Sequence, residues 1–260
     1  MLYSVIVKVK SEKPIEANMA SGKQVHGLFF RIMKELSPGM GDKLHSEEQK
    51  VQPFTVSTLN MESANSGWFR FTLFSNEMFD NIMDFLSGKR QKSIRIAESD
   101  FIITDFIFHD SEVANFATYD QLLKSAPLSH KIRLRFISAT SFRHKGKNVP
   151  HPLPTLVFRS LLTKWNEFSP FRFDEEHFLT ASEENVVTSR YKLQTRILDF
   201  NEYKIIGFTG SCEYTILSIA EELFLKQINT LADFAFYAGV GYKTTMGMGQ
   251  TVRIDSNGRR

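Results

Sequence analysis

The order in which apolar periodicity changes along this chain limits its fold more than any other feature. Leu2 to Val9 alternates apolar and polar residues and predicts a strand. Ser21 or Gly22 then opens a helix with Val25, Leu28, Phe29, Ile32, Met33 and Leu36 on one face, and Pro38-Gly39 stops it. Val51 to Met61 and Trp68 to Phe74 predict two strands around the turn-like Glu62 to Gly67. A helix from Asn76 to Leu86 ends at Ser87-Gly88, and Ile94 to Phe108 supplies another strand. The order is strand, helix, strand, strand, helix, strand.

After a connector around Val113 to Pro127 the same order returns. Lys131 to Thr140 predicts a strand, Thr155 to Phe168 a helix, Val187 to Asp199 and Lys204 to Thr215 two strands, Ile219 to Tyr237 a straight or bent helix, and Thr251 to Ile254 a last strand. The expected fold is therefore α+β, with tandem ferredoxin-like (RRM-like) βαββαβ domains over residues 1–127 and 128–260. Between Gly67 and Phe74, alternation assigns Phe69, Phe71 and Leu73 to the core and Trp68, Arg70, Thr72 and Phe74 to the other face.

With 260 residues, 42% of them hydrophobic, the chain has material for a buried core in each half. No run approaches the roughly 18 to 20 apolar residues that cross a membrane, and Lys8 and Lys10 interrupt the first apolar segment, so no membrane association and a cytoplasmic location are expected. Cys212 is the only cysteine, which excludes an internal disulfide and a zinc-thiolate cluster. No histidine or carboxylate cluster has metal-ligand spacing, and no metal or cofactor is expected.

A net charge of +3 says little by itself, but the cations are grouped. Arg133 and Arg135 share one strand face, as do Arg190 and Lys192, while Arg143, Lys145 and Lys147 crowd one short stretch around His144. Such patches suit a phosphodiester backbone. Near the C-terminus, Gly239-Val-Gly241 and Gly247-Met-Gly249 bracket Lys243, Thr244 and Thr245. Glycine allows positive φ and close backbone approach, so this loop is expected to present bare N–H groups to a phosphate. It has neither the Walker spacing nor the strand-to-helix setting of a dinucleotide fingerprint.

Three passages together resemble the Cas-six family of CRISPR-associated repeat-processing endoribonucleases, within the repeat-associated mysterious protein superfamily. The first is His26-Gly-Leu-Phe-Phe30 followed by Leu44-His45 and Pro53-Phe-Thr-Val-Ser57. The second is Pro152-Leu-Pro154 leading into Val157 to Trp165. The third is Gly207-Phe-Thr-Gly210 with the glycine-rich stretch from Phe234 to Gln250. The resemblance implies metal-free cleavage of CRISPR precursor RNA within each repeat, giving a 5′-hydroxyl and a 2′,3′-cyclic phosphate or its opened form. Repeat RNA is then the expected partner, a CRISPR interference complex a further one, and the chain a monomer or homodimer. The same superfamily contains non-catalytic subunits that only hold RNA. A tandem ferredoxin-like module binding small molecules or protein is the alternative outside it.

Metal-free cleavage needs a base for the 2′-hydroxyl, an acid for the leaving 5′-oxygen and a cation for the phosphorane. Histidine, with an ordinary pKa of about 6.5, serves either proton role. The resemblance places His45, in a Leu-His loop, at the family's catalytic histidine. His26, one helical turn before Phe30, is either its partner or a structural histidine of a half-buried helix. Phe30 stands where relatives carry a tyrosine. Lys50 is the candidate cation, although Gln52 occupies the column in which some relatives have lysine. Which histidine is acid and which is base stays open.

Overall fold

The computed structural model describes residues 1–15, 21–45, 51–89, 93–109, 112–200, 202–255 and 258, with the side chains of Lys43, His45 and Lys89 left aside. The chain forms two compact units, Met1–Ala117 with Thr245–Gly247, and Thr118–Thr244 with Met248–Arg260.

The first unit contains β1 (Leu2–Lys10), α1 (Gly22–Leu36), α2 (Pro38–His45), β2 (Phe54–Val56), β3 (Asn60–Met61), β4 (Ser66–Leu73), α3 (Asn76–Lys89), β5 (Ser93–Ile96), β6 (Ser99–Ile107) and β7 (Asn115–Ala117). Its antiparallel sheet runs β2-β4-β1-β6-β5, with β3 beside β4 and β7 beside β1. Reading β2, β4, β1 and β6 across the sheet reproduces the ferredoxin-like strand order. Val5, Val7 and Val9 of β1 meet Phe69, Phe71 and Leu73 of β4, and α1 lays Val25, Leu28, Phe29, Ile32 and Met33 over them. The apolar period of α1 therefore sets which face covers the sheet. Arg70, Thr72 and Phe74, on the opposite side of β4 from that core, are buried as well.

Several local expectations need correction. Pro38 ends α1 but also starts α2, a position its fixed φ suits, so His45 closes a helix instead of lying in a loop. The single strand expected over Val51 to Met61 is two short pieces, β2 and β3. The strand expected over Ile94 to Phe108 is the hairpin β5–β6, which reverses at Ala97 in a left-handed conformation (φ 53°) that alanine does not advertise. The connector around Val113 to Pro127 holds β7 and a helix.

That helix is α4 (Tyr119–Ser125), opened by a capping box in which Thr118 and Gln121 bond reciprocally. It begins the second unit, followed by β8 (Lys131–Thr140), β9 (Phe142–His144), β10 (Lys147–Val149), α5 (Pro154–Phe168), α6 (Glu175–Asn185), β11 (Val186–Asp199), β12 (Lys204–Ile216), α7 (Glu222–Ala238) and β13 (Thr251–Arg253). The antiparallel order β11-β12-β8-β13 is again ferredoxin-like. Both halves are thus the tandem α+β arrangement that element order predicts. The core is aromatic, with Trp165, Phe158, Tyr214, Phe224 and Phe234 buried. The Trp165 indole N–H donates to the Phe171 carbonyl and the Tyr214 hydroxyl to that of Pro152, so neither polar tip is stranded. Helix α6 was not foreseen. Asp174 caps it by accepting from the His177 N–H, but it buries only Phe178 and Ser182, too few for a readable stripe.

Candidate functional site

In the first unit His26 is held in one tautomer. Its Nδ1 lies 2.8 Å from the carbonyl oxygen of Thr245. A carbonyl only accepts, so Nδ1–H donates, and in the neutral ring Nε2 carries the lone pair. Phe30 meets the imidazole edge-on at 4.7 Å between centroids, and Phe54 lies near-parallel to it at 6.0 Å. Phe54 in turn stacks on core residue Phe29 at 3.9 Å. The imidazole is thus braced by Phe54 of the core and by Phe30, which packs against that core.

Thr245 reaches His26 because two glycines meet. A Cβ on Gly22, at the first position of α1, would stand 2.1 Å from the Met246 carbonyl oxygen. Gly247 (φ 86°) is its opposite number, its own hypothetical Cβ falling 3.0 Å from the Gly22 Cα. Sequence reading saw in Gly22 only a helix start. Pairwise packing of this kind leaves no local signal.

The Pro-Phe-Thr-x-Ser passage is an edge strand in the structure. Thr55 bonds Thr72 through their hydroxyls at 2.5 Å across β2 and β4, and the Ser57 hydroxyl accepts from the Arg70 N–H at 2.8 Å. Gln52, in the lysine column, donates through Nε2 to the carbonyl of Leu44 at 3.1 Å. Leu44 is buried in the core beside His45. The His45 side chain and all of Lys50 lie outside the described residues, as do Ser46, Glu47 and Glu48.

In the second unit the glycine-rich loop turns most of its donors inward, contrary to the bare N–H array expected. Gly239 N–H donates to Ala235, Val240 to Gly249, Tyr242 to Ser141 and Gly249 to Ala139, all to carbonyls, and Gly241 donates to the Ser160 hydroxyl. A Cβ on Gly249 (φ 71°) would come within 2.1 Å of the Val240 carbonyl oxygen. These glycines serve the loop's own packing on either side of the short stretch from Lys243 to Gly247. Thr244 and Thr245 begin a short 3-10 turn there.

Beneath the loop lies Lys164, which sequence reading passed over. The residue is part-buried, and its ammonium donates to the carbonyls of Ala238 (2.5 Å) and Gly239 (3.4 Å) and to the Thr244 hydroxyl (2.9 Å). It closes the C-terminal end of α7, where orphan carbonyls and the helix dipole favour a cation. Burial works the other way and lowers its pKa to about 7. An unfolded lysine titrates near 10.4, so the unfolded chain binds the extra proton between these values and stability rises with pH across that window. The expected slope contribution is up to about 1.4 kcal/mol per pH unit. Urea midpoints from pH 7 to 10 check it: the wild-type minus Lys164→Met difference should show this slope, and a flat difference contradicts it.

Strand register gathers the candidate cations of the second sheet. Arg190 of β11, Glu213 of β12 and Arg133 of β8 stand side by side, and Lys192, Ser211 and Arg135 form the next row. Ile132, Leu134, Cys212 and Tyr214 turn to the buried side. Arg133 donates through Nε (3.0 Å) and Nη2 (2.5 Å) to the Glu213 carboxylate, and this bonding holds the Glu213 pKa below the usual carboxylate range. Glu213 therefore offsets Arg133, and the positive charge of the face comes from the other cations on it, Arg135, Arg190 and Lys192 among them. Arg143, Lys145 and Lys147 belong to a different element, the exposed β9–β10 hairpin, whose turn places Lys145 and Gly146 at positive φ.

Comparison with known proteins fits both halves of this picture. The family model described as the CRISPR Cas6 N-terminal domain matches residues 1–67, and that described as CRISPR-associated endoribonuclease Cas6 matches residues 134–251. The chain belongs to the CRISPR-associated Cas6 family. A CRISPR-associated endoribonuclease Cas6 of Mycobacterium tuberculosis is 24% identical over 250 residues, covering 95% of this chain and 77% of the relative. A Cas6 structure from Thermus thermophilus superposes with a TM-score of 0.78 at 26% identity, over 98% of both chains. A Cas6 product complex gives 0.83 at 25% identity, over 98% of this chain and 99% of the other. Among the described residues no helix is long and apolar enough to cross a membrane.

Proposed function

We propose that this Cas6 family member is an endoribonuclease that cuts CRISPR precursor RNA within its repeats without a metal ion. The observation that carries the reading is the fixed tautomer of His26, whose Nδ1–H donates to Thr245 and leaves Nε2 as the basic nitrogen. A histidine base takes the proton of a ribose 2′-hydroxyl, and the 2′-oxygen attacks the adjacent phosphorus. The bond to the 5′-oxygen breaks, an acid protonates that oxygen, and the products are a 2′,3′-cyclic phosphate and a 5′-hydroxyl. His45, from its motif, is the principal residue of this exchange, with His26 as its partner and Lys50 as the cation that offsets charge on the phosphorane. Lys243, Thr244, Thr245 and the face of Arg135, Arg190 and Lys192 hold phosphates.

Incubation of the protein with end-labelled repeat RNA in EDTA tests this. Cleavage to fragments whose 5′ ends accept phosphate from a kinase without prior dephosphorylation supports it. Tight binding without any cut would move the chain to the RNA-holding reading, and cleavage only with divalent ions would exclude a metal-free mechanism. The basic face makes a separate prediction. Arg135→Ala should weaken binding to all repeat sequences alike and lower the slope of log affinity against log salt by about 0.7 to 0.9, the share of one phosphate contact. An unchanged slope in a salt titration would take Arg135 out of the RNA interface.

A further inference from the structure

The strands β11 and β12 end in a turn closed by the Phe200 N–H donating to the Tyr203 carbonyl at 3.0 Å. Across that turn the rings of Phe200 and Tyr203 stack, 5.3 Å between centroids and 16° between planes. Phe200 is 9% exposed and serves as backing, while Tyr203 remains 43% exposed. The Lys243 ammonium lies 5.3 Å from each of these two centroids and 5.1 Å from that of Tyr242, which is 36% exposed. Lys243 adopts φ 56°, a conformation unfavourable for a side-chain-bearing residue, and this backbone turn directs its head among three aromatic rings.

An aromatic face next to a held cation matches the two chemistries of a nucleotide: a flat base that stacks and a phosphate that pairs with charge. Base-paired RNA offers the phosphate but keeps its base faces inside the helix, so a π-platform is used only by a nucleotide outside a duplex. We propose that Tyr203, backed by Phe200 and set beside Tyr242 and Lys243, is a subsite for one unpaired nucleotide of the RNA, its base stacked on Tyr203 and its phosphate on Lys243. The proposal rests on the reading of the chain as a binder and cleaver of repeat RNA, and adds which part of that RNA the β11–β12 tip grips.

The test is an abasic scan. Repeat RNAs carrying one abasic site at each unpaired position in turn are titrated against wild type, Tyr203→Ala, Tyr203→Phe and Tyr203→Leu. Tyr203→Ala should weaken binding to intact RNA roughly 5- to 150-fold, the loss of one base–aromatic stack, with the salt slope unchanged. Tyr203→Phe should stay within about twofold of wild type and Tyr203→Leu should resemble the alanine variant, because a ring and not an apolar bulk is required. One abasic position should cost wild type the same factor and cost Tyr203→Ala nothing more. 2-Aminopurine at that position, bound to wild-type protein, should be quenched, which keeps the test decisive if a variant misfolds. A scan with no position that Tyr203→Ala renders silent, or no quenching anywhere, overturns the subsite while leaving repeat cleavage intact. Failure of wild type to bind repeat RNA at all would instead overturn the functional reading beneath it.

Discussion

His45→Ala is expected to slow single-turnover cleavage of repeat RNA by about 10²- to 10⁴-fold, the range lost when a positioned proton-transfer group is removed. Affinity for the RNA should stay within a few-fold, because the phosphate-holding cations proposed for the second unit are untouched. The fold should survive too: His45 is the last residue of α2, and the anchor of that helix end is Leu44, buried in the core with its carbonyl bonded by Gln52. Equal thermal unfolding of variant and wild type checks that point. Should His26 and His45 divide acid and base work, the wild-type pH–rate profile is bell-shaped and each single alanine variant loses one limb. Unchanged cleavage in His45→Ala would remove this residue from the mechanism and leave His26 as the remaining histidine.

Gly249→Ala should be the most damaging small substitution in the glycine-rich loop. The residue sits at φ 71°, and an added Cβ would lie 2.1 Å from the Val240 carbonyl oxygen and 3.0 Å from the Thr244 Cγ2. The left-handed conformation alone costs a side-chain-bearing residue about 1 to 2 kcal/mol. The contact with backbone cannot be relieved by a rotamer change, so the Val240 N–H to Gly249 carbonyl bond of 2.8 Å must open. Opening it leaves buried backbone groups unpaired, a further cost of about 1 to 3 kcal/mol. The sum, about 2 to 5 kcal/mol, lowers the unfolding midpoint by roughly 4 to 20 °C for a chain of this size. Gly146→Ala is the control. Gly146 has a similar φ of 76° but nothing within 4 Å of the added Cβ, so only the conformational cost should appear. Equal midpoint shifts in the two variants would contradict the packing argument.

These cases show where sequence reading stops. Element order was legible because a two-residue and a 3.6-residue apolar period alternate along the chain, as Val5-Val7-Val9 and Val25-Phe29-Ile32 illustrate. The hairpin at Ala97 was not, since nothing in an alanine announces positive φ. The capping box of Thr118 and Gln121 was present in the residues, but it stood in a stretch read as connector. The cationic strands were legible singly; that Glu213 stands between Arg190 and Arg133 and offsets one of them emerges only when three strands are in register. The glycine-rich loop was legible as a motif and misread in part, because glycines needed for backbone-to-backbone packing and glycines needed for a ligand look alike in sequence. Lys164 shows the same limit: a lysine beside a buried tryptophan gives no hint that its ammonium closes another helix.

The most direct measurement is single-turnover cleavage, in EDTA, of two repeat RNAs that differ only in a 2′-deoxy substitution at the nucleotide 5′ of the cut. The 2′-hydroxyl is the nucleophile in this account, so both RNAs should bind equally, the all-ribose RNA should yield a 2′,3′-cyclic phosphate, and the substituted RNA should not be cut at that position. Cleavage of the deoxy-substituted RNA at the same bond would contradict it.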